Sequence, residues 1–397
     1  MLAATVRVTR DLDTAEEAVQ DAYVQALRTW PRDGVPERTG AWLTTVARRN
    51  ALNVLSRRRT LERKLPLLLE PEDAEMPEPG TIPDDRLRLI FTCCHPALAP
   101  EARVALTLRL VCGVATPDIA QAFLVAEPTM AARLTRAKKK ITAARIPDRV
   151  PAAADLPARV DTVLTVIHLL YSTGHTAHSG QDLVRDDLTG RALDLARLLH
   201  LLLPAEREAA GLLALLLVHQ ARRATRTDEH GRLLRLEGQD RSAWDREPIA
   251  EADRLLVASL TSGPPGRFTL QAAIAALHAQ AAGYEQTDWP QILTLYGELL
   301  RVWPSPVVAL NRAVALSMVD GPEAALAEVE ALERDGRLAG YRYLPATKAD
   351  LLHRLGRDAE AVEAYRAALA LTDNAAEQEF LAERARTTDP GSGAARD

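Results

Sequence analysis

The stretch EPTMAARLTRAKKKI, residues 127–141, carries five basic side chains, Arg133, Arg136, Lys138, Lys139 and Lys140, in a chain whose formal net charge is −5. Wound as a helix, it stacks Met130, Leu134, Ala137 and Ile141 at i, i+4, i+7 and i+11, a narrow apolar seam. Thr129, Arg133, Arg136 and Lys140 form a second stack about a third of a turn away. One face can pack while the other stays free and basic. Upstream, EARVALTLRLVCG (101–113) reads as a helix stopped by Gly113. Thr116 then caps PDIAQAFL (117–124), with Pro117 at the first helical position. Helix, turn, short helix, turn, basic helix is the order of a helix-turn-helix unit. In such a unit the basic helix enters the major groove of duplex DNA. Its N-terminal residues face base edges, and its arginines reach bases or phosphates.

The rest of the chain sets the frame. Its 397 residues suggest two or three domains, and 47% hydrophobic with 26% charged residues is enough apolar material for real cores. Aromatics make up only 4% while Ala and Leu abound, which favours helices over sheets. The expected fold class is therefore all-α. MLAATVRVTRDLD meets charge at once and has no apolar signal core. The longest apolar run, GLLALLLV (211–218), is too short to span a bilayer. The three cysteines, Cys93, Cys94 and Cys112, have no framework spacing and fit reduced thiols in a cytoplasm.

Asp13 to Trp30 reads as a helix with Asp13 and Glu16 as a capping pair, stopped by Pro31. Ala15, Ala18, Val19, Ala22, Ala26 and Leu27 follow helical spacing, and Glu16, Glu17, Gln20 and Asp21 make an acidic face. PRDGVPERTG reads as a loop. Ala41 to Arg59 is a second helix, apolar through Leu43, Val46, Ala47, Val54 and Leu55. LEPEDAEMPEPGTIPDD (69–85) is rich in Pro and acid and reads as linker. The last third repeats: Ile292, Tyr296 and Leu299 have counterparts at Ala325, Val329 and Leu332, and again at Ala361, Tyr365 and Ala368. The intervals are 33 and 36 residues, the spacing of two-helix tetratricopeptide repeats.

DTAEEAVQDAYVQALRTWP followed by AWLTTVARRNALNVLSRRR resembles region 2 of a bacterial RNA polymerase sigma factor of the extracytoplasmic-function, sigma-70-like type. DIAQAFLVAEPTMAARLTRAKKKI resembles its region 4. RLRLIFTCCHPAL and the extension containing LEGQDRSAWDR are similar to the subgroup with a C-terminal tetratricopeptide-like domain. The resemblance implies region 2 at 1–62, a linker at 63–84, region 4 at 85–147, a helical middle domain at 156–262, repeats at 263–383 and a disordered tail at 384–397. It also implies that Met1 falls inside the first helix of region 2, so that this region is N-terminally truncated.

The same resemblance implies roles. Asp13, Glu17, Gln20 and Asp21 would dock on core RNA polymerase at the β′ clamp, with the β flap as a further contact. The loop Arg32 to Thr39 would capture a flipped base of the −10 element. Arg48, Arg49, Asn50 and Asn53 would read and hold that single strand, and Arg57 and Arg58, with Arg59, would track phosphates. Thr129, Arg133, Arg136, Lys138 and Lys140 would bind the −35 duplex. Ala131 and Ala132 stand where the family often has Lys and Ser, which removes contacts and weakens the expectation of −35 specificity.

FTCCHP (91–96) lacks the spacing of a zinc site, and adjacent cysteines point to different sides of a helix. The group His219, Arg222, Arg223, Asp240, Arg241, Trp244 and Asp245 is either an ion-pair network or a ligand pocket. No catalytic residue, metal or cofactor is expected. The reading is of an alternative sigma factor that directs promoter recognition, with promoter DNA as partner and the extension controlling it, more through a positive role than by masking. A regulatory protein at the repeats is a further expected partner. The rival readings are a polymerase-independent helix-turn-helix regulator with a sensing solenoid, and an enzyme using Cys93/Cys94 or the His219–Asp245 group.

Overall fold

The structure, a computed structural model, describes residues 1–64, 85–123, 125–146, 151, 155–175, 179–180, 186–228 and 232–389. The fold is all-α. The only paired strands among the described residues are two dipeptides, Ser179–Gly180 parallel to Asp373–Asn374. The chain divides into two compact units, Met1–Val166 and Ile167–Asp397.

The first unit contains α1 (Leu2–Thr9), α2 (Leu12–Asp33), α3 (Thr39–Lys64), α4 (Asp85–Cys93), α5 (Pro100–Leu110), α6 (Thr116–Ala122) and α7 (Glu127–Ala143). Helix α8 (Leu156–His175) runs from the first unit into the second. α2 departs from the sequence reading at both ends. Its cap is Asp11, whose carboxylate accepts from the Thr14 backbone N–H at 2.7 Å, so the Asp13 carboxylate is not used as the cap. Pro31 does not stop the helix. Close to the C-terminus a proline removes one hydrogen bond, and the helix continues to Asp33, where Gly34 at φ 81° turns the chain away. Buried alanines, Ala15, Ala18, Ala22 and Ala26, let α3 approach α2 closely. Val46 and Ala47 pack there on Ala22, with Trp42 and Leu43 beside them. Leu27, which the spacing assigned to this seam, is instead 76% exposed. α3 begins at Thr39 and runs to Lys64, past the boundary at residue 62. Residues 65–84 of the expected linker lie outside the described residues.

The second unit contains α9 (Asp186–Leu202), α10 (Arg207–Ala221), α11 (Arg246–Thr261) and α12 (Arg267–Gln280). α13 (Trp289–Val302), α14 (Pro306–Val319), α15 (Pro322–Asp335), α16 (Tyr343–Arg354), α17 (Asp358–Leu369) and α18 (Ala375–Thr388) follow. α10 is apolar all round and correspondingly buried from Ala209 to Val218, with α9, α11 and α12 packed about it. Gly211 lets α12 cross at contact distance: a Cβ there would lie 2.7 Å from the Thr269 backbone nitrogen. The Glu208 carboxylate caps α12, accepting from the N–H groups of Gly266, Phe268 and Thr269 at 3.2, 2.7 and 3.3 Å. This meets donors that a helix start leaves open.

From α12 onward each helix packs on the next. The recurring positions fall on α13, α15 and α17. Ile292, Leu299, Ala325, Val329, Ala361, Tyr365 and Ala368 are all buried between helix pairs. Gly321 and Gly356, at φ 95° and 71°, make the short turns from α14 to α15 and from α16 to α17. Both adopt a left-handed backbone that other residues rarely tolerate. α18 runs to Thr388, beyond residue 384 where the tail was expected to begin.

Candidate nucleic-acid interface

α5, α6 and α7 form the helix-turn-helix. The seam is as the spacing reads: Met130, Leu134, Ala137 and Ile141 are buried, with Ile119 and Ala120 of α6. Gly113 at φ 68° makes the turn after α5. On α7, Thr129, Arg136, Lys139 and Lys140 are exposed. Arg133 is half-buried, its guanidinium 5.7 Å from the centroid of the Phe123 ring. Ala131 and Ala132 are exposed and leave the N-terminal part of this face open.

Lys138 is placed differently from its neighbours. Its Nζ donates to Asp13 Oδ1 at 3.1 Å and to the carboxylate of Glu16, and its side chain is only 16% exposed. Arg109 Nε lies 3.8 Å from the same Glu16. Burial alone would lower the Lys138 pKa, but the hydrogen bonds and charges of Glu16 and Asp13 outweigh it and raise it. A residue expected at DNA and one expected at polymerase are thus joined to each other. Sequence spacing carries no signal for this contact, because the partners are 125 residues apart.

α2 turns Glu17, Gln20 and Asp21 outward. Beside them Tyr23, Val24 and Leu27 are 51%, 44% and 76% exposed. The sequence reading found the acidic half of this face and missed the apolar half. The signal was present, since Tyr23 and Val24 fall off the alanine seam. On α3, Arg49 and Asn53 are exposed, and Arg48 and Asn50 are half-buried. Arg57 and Arg58 lie on α3, but their side chains are outside the described residues. Of the loop expected at Arg32–Thr39, residues 34–38 join the two helices. Trp30 and Trp42 brace this corner edge to face, centroids 5.5 Å apart.

The other reactive groups singled out by the sequence are held within the fold. Cys93, Cys94 and Cys112 are buried thiols. Burial pushes the Cys94 thiol up to about 11, against the lowering effects of its Thr107 hydrogen bond and of Arg103 and Arg159. That is the reverse of an activated nucleophile. Arg241 donates to the carbonyls of His278 and Ala281 and to Thr287 Oγ1, at 2.9–3.1 Å. Trp244 Nε1 donates to Thr225 Oγ1 at 2.9 Å, and Asp245 caps α11. Burial, then the charges of neighbouring arginines and histidines, holds His219 well below the usual histidine value. Among the described residues no helix is long and apolar enough to cross a membrane.

Residues 2–60 match the family described as Sigma-70 region 2, and residues 88–141 match Sigma-70 region 4. Residues 159–260 match a family of unknown function, DUF6596. An uncharacterised protein of Rhizobium meliloti (strain 1021) is 44% identical over 388 residues, covering 96% of this chain and 91% of that protein. The fold and these matches together define an all-α protein of promoter recognition and transcription initiation, with a helix-turn-helix for duplex DNA. The chain belongs to the sigma-70-like sigma factors of the extracytoplasmic-function type, in the form that carries a C-terminal helical extension.

Proposed function

We propose that the protein binds core RNA polymerase through α2, holds the −10 single strand with α3 and contacts the −35 duplex with α7. The observation that carries this is the outward face of α2. Alanines close its inner face, while Tyr23, Val24 and Leu27 stand uncovered beside Glu17, Gln20 and Asp21. Exposed apolar side chains beside charge suit a protein interface, in which burial supplies affinity and charge sets register. Arg49 and Asn53 on α3 offer guanidinium and amide groups to unstacked bases. Arg136 and Lys140 on α7 are exposed and would contact a duplex lying against that helix.

Run-off transcription with purified core polymerase on genomic fragments tests the reading. Exchanging Gln20 for Ala and Asp21 for Arg together should reduce capture of core, because a cation enters an acidic face. Undiminished capture removes the assignment of α2. Footprints on duplex DNA that need no polymerase, with no run-off product, favour a polymerase-independent regulator instead. The extension carries the control function and acts positively. Truncation after Val150 should lower run-off transcription while leaving promoter-fragment binding nearly intact, and a faster truncated protein refutes the positive role.

A further inference from the structure

Two cavities of about 450 Å³ and 210 Å³ lie along the repeats and share Arg235, Glu237, Tyr284 and Val314 in their walls. The larger is floored by α14 and α16 and closed by α17, α18 and the segment around Arg235. Three guanidiniums face it, Arg235, Arg354 and Arg384, against two carboxylates, Asp350 and Glu237. Asp350 serves two of the three, accepting from Arg235 at 2.7 Å and Arg384 at 3.2 Å. Arg354 bonds neutral acceptors among the described residues, Ser317 Oγ at 2.8 Å, the Ser317 carbonyl at 2.9 Å and Met318 Sδ at 3.9 Å, and interacts with Asp350 through charge alone. His353, also in the wall, is bonded to Asp358. The cavity therefore holds one positive charge in excess. Apolar surface from Val314 and Phe380 borders the charges, backed by the buried Leu351 and Tyr365.

From this juxtaposition we infer that the larger cavity of the repeats is a binding site for an acidic peptide, with a carboxylate side chain against Arg354 and Arg384 and an apolar neighbour on Val314 and Phe380. Guanidiniums meet carboxylates in paired, planar hydrogen bonds. A single excess charge suits a monoanionic carboxylate. A dianionic phosphate would bring a second negative charge that the single excess guanidinium leaves uncompensated. Two cavities strung across successive helix pairs suit an extended chain, the ligand that concave solenoid surfaces accommodate. This deepens the control role proposed for the extension, and the test below reads binding without transcription, so the two can fail separately.

The test pans a random 12-residue phage-displayed peptide library on the full chain. Selected peptides should be enriched in Asp or Glu flanked by apolar residues. A synthetic peptide from the pool should lose affinity about tenfold or more on Arg354→Gln, as expected for a hydrogen bond to a charged group. Thr347→Glu puts a carboxylate into the cavity wall and leaves every arginine in place, so it should abolish binding even where the Arg354 variant folds poorly. Pools without acidic enrichment overturn the inference. So does equal binding by a folded Thr347→Glu chain, or displacement of the peptide by equimolar inorganic phosphate, which assigns the site to a small anion.

Discussion

Glu16→Gln should free the basic face of α7. Glu16 is not among the residues assigned to polymerase or DNA, yet it is the partly buried end of the contact that holds Lys138. Both side chains are under a fifth exposed, 18% and 16%. Unit charges at about 4 Å attract by about 4 kcal/mol at an effective dielectric of about 20, before desolvation and side-chain ordering are subtracted. Exposed pairs retain about 0–1 kcal/mol, and breaking a fully buried one costs about 3–5 kcal/mol. For this half-buried geometry about 1 kcal/mol is the appropriate figure, because Asp13, 66% exposed, still holds part of the ammonium. Released from that hold, Lys138 can neutralise a phosphate. Duplex affinity should rise about three- to tenfold at low salt, and the slope of log K against log salt should steepen by about 0.9. Fluorescence anisotropy of a labelled duplex with the full chain, in a salt series, measures both. Unchanged slope and affinity, with the thermal transition of the variant intact, would refute the reasoning that Lys138 is withheld from DNA by this contact.

Arg136→Ala should weaken promoter-duplex binding by about 1–3 kcal/mol with little change in stability, because Arg136 is exposed. Arg133→Ala should also lower stability, since its guanidinium lies over Phe123; urea melts alongside anisotropy separate the two, and identical profiles would contradict the structure. Gly211→Ala should destabilise the second unit by about 1–3 kcal/mol despite the better helix propensity of alanine, because its methyl group meets the backbone of Thr269. A raised melting temperature would count against that crossing. Burial, and then Arg267 for His168 and Arg222 and Arg241 for His278, holds these two histidines at about 4, with His175 and His219 also well below the usual value. The folded state keeps them neutral while an unfolded histidine titrates near 6.5, so their stabilisation is complete above about pH 6.5 and lost as the pH falls toward 4. Each histidine should cost about 1.4 kcal/mol per pH unit in that window, and thermal melts from pH 7 to 5 should flatten in His219→Gln; equal slopes would contradict the burial.

What the sequence made legible follows local rules. The seam of α7 was readable because one helix face against one groove depends only on a 3.6-residue period, and Met130, Leu134, Ala137 and Ile141 are all buried. The repeat was readable for a similar reason. Apolar residues at fixed intervals are what stacked pairs require, and Ala325 and Ala361 are 0% exposed. The misreadings occur where two local signals compete or where a partner is remote. Asp11 and Asp13 both offer a cap, and only backbone geometry decides that Asp11 takes the Thr14 N–H. Pro31 reads as a stop, but a proline this near a helix end breaks a single bond. Leu27 fits the apolar period yet lies outside the stripe that α3 covers, which depends on the crossing of two helices and not on either sequence alone.

The charges show the same division, with a functional consequence. The basic burst at residues 133–140 is a local pattern, and the exposure of Arg136 and Lys140 follows from helical spacing alone. Which lysine is withdrawn from that face is a tertiary fact, fixed by where Glu16 and Asp13 stand on α2. α2 therefore presents two different surfaces. One carboxylate row faces Lys138 and Arg109 within the unit, while Glu17 and Asp21 face outward beside Tyr23, Val24 and Leu27. An acidic helix of this kind can offer a partner its outer row without giving up its inner one. Substitutions at Glu16 and at Asp21 should accordingly separate, the first changing duplex binding by α7 and the second changing capture of polymerase. If Asp21→Arg altered the salt slope of duplex binding as strongly as Glu16→Gln, the division of α2 into two functional faces would be wrong.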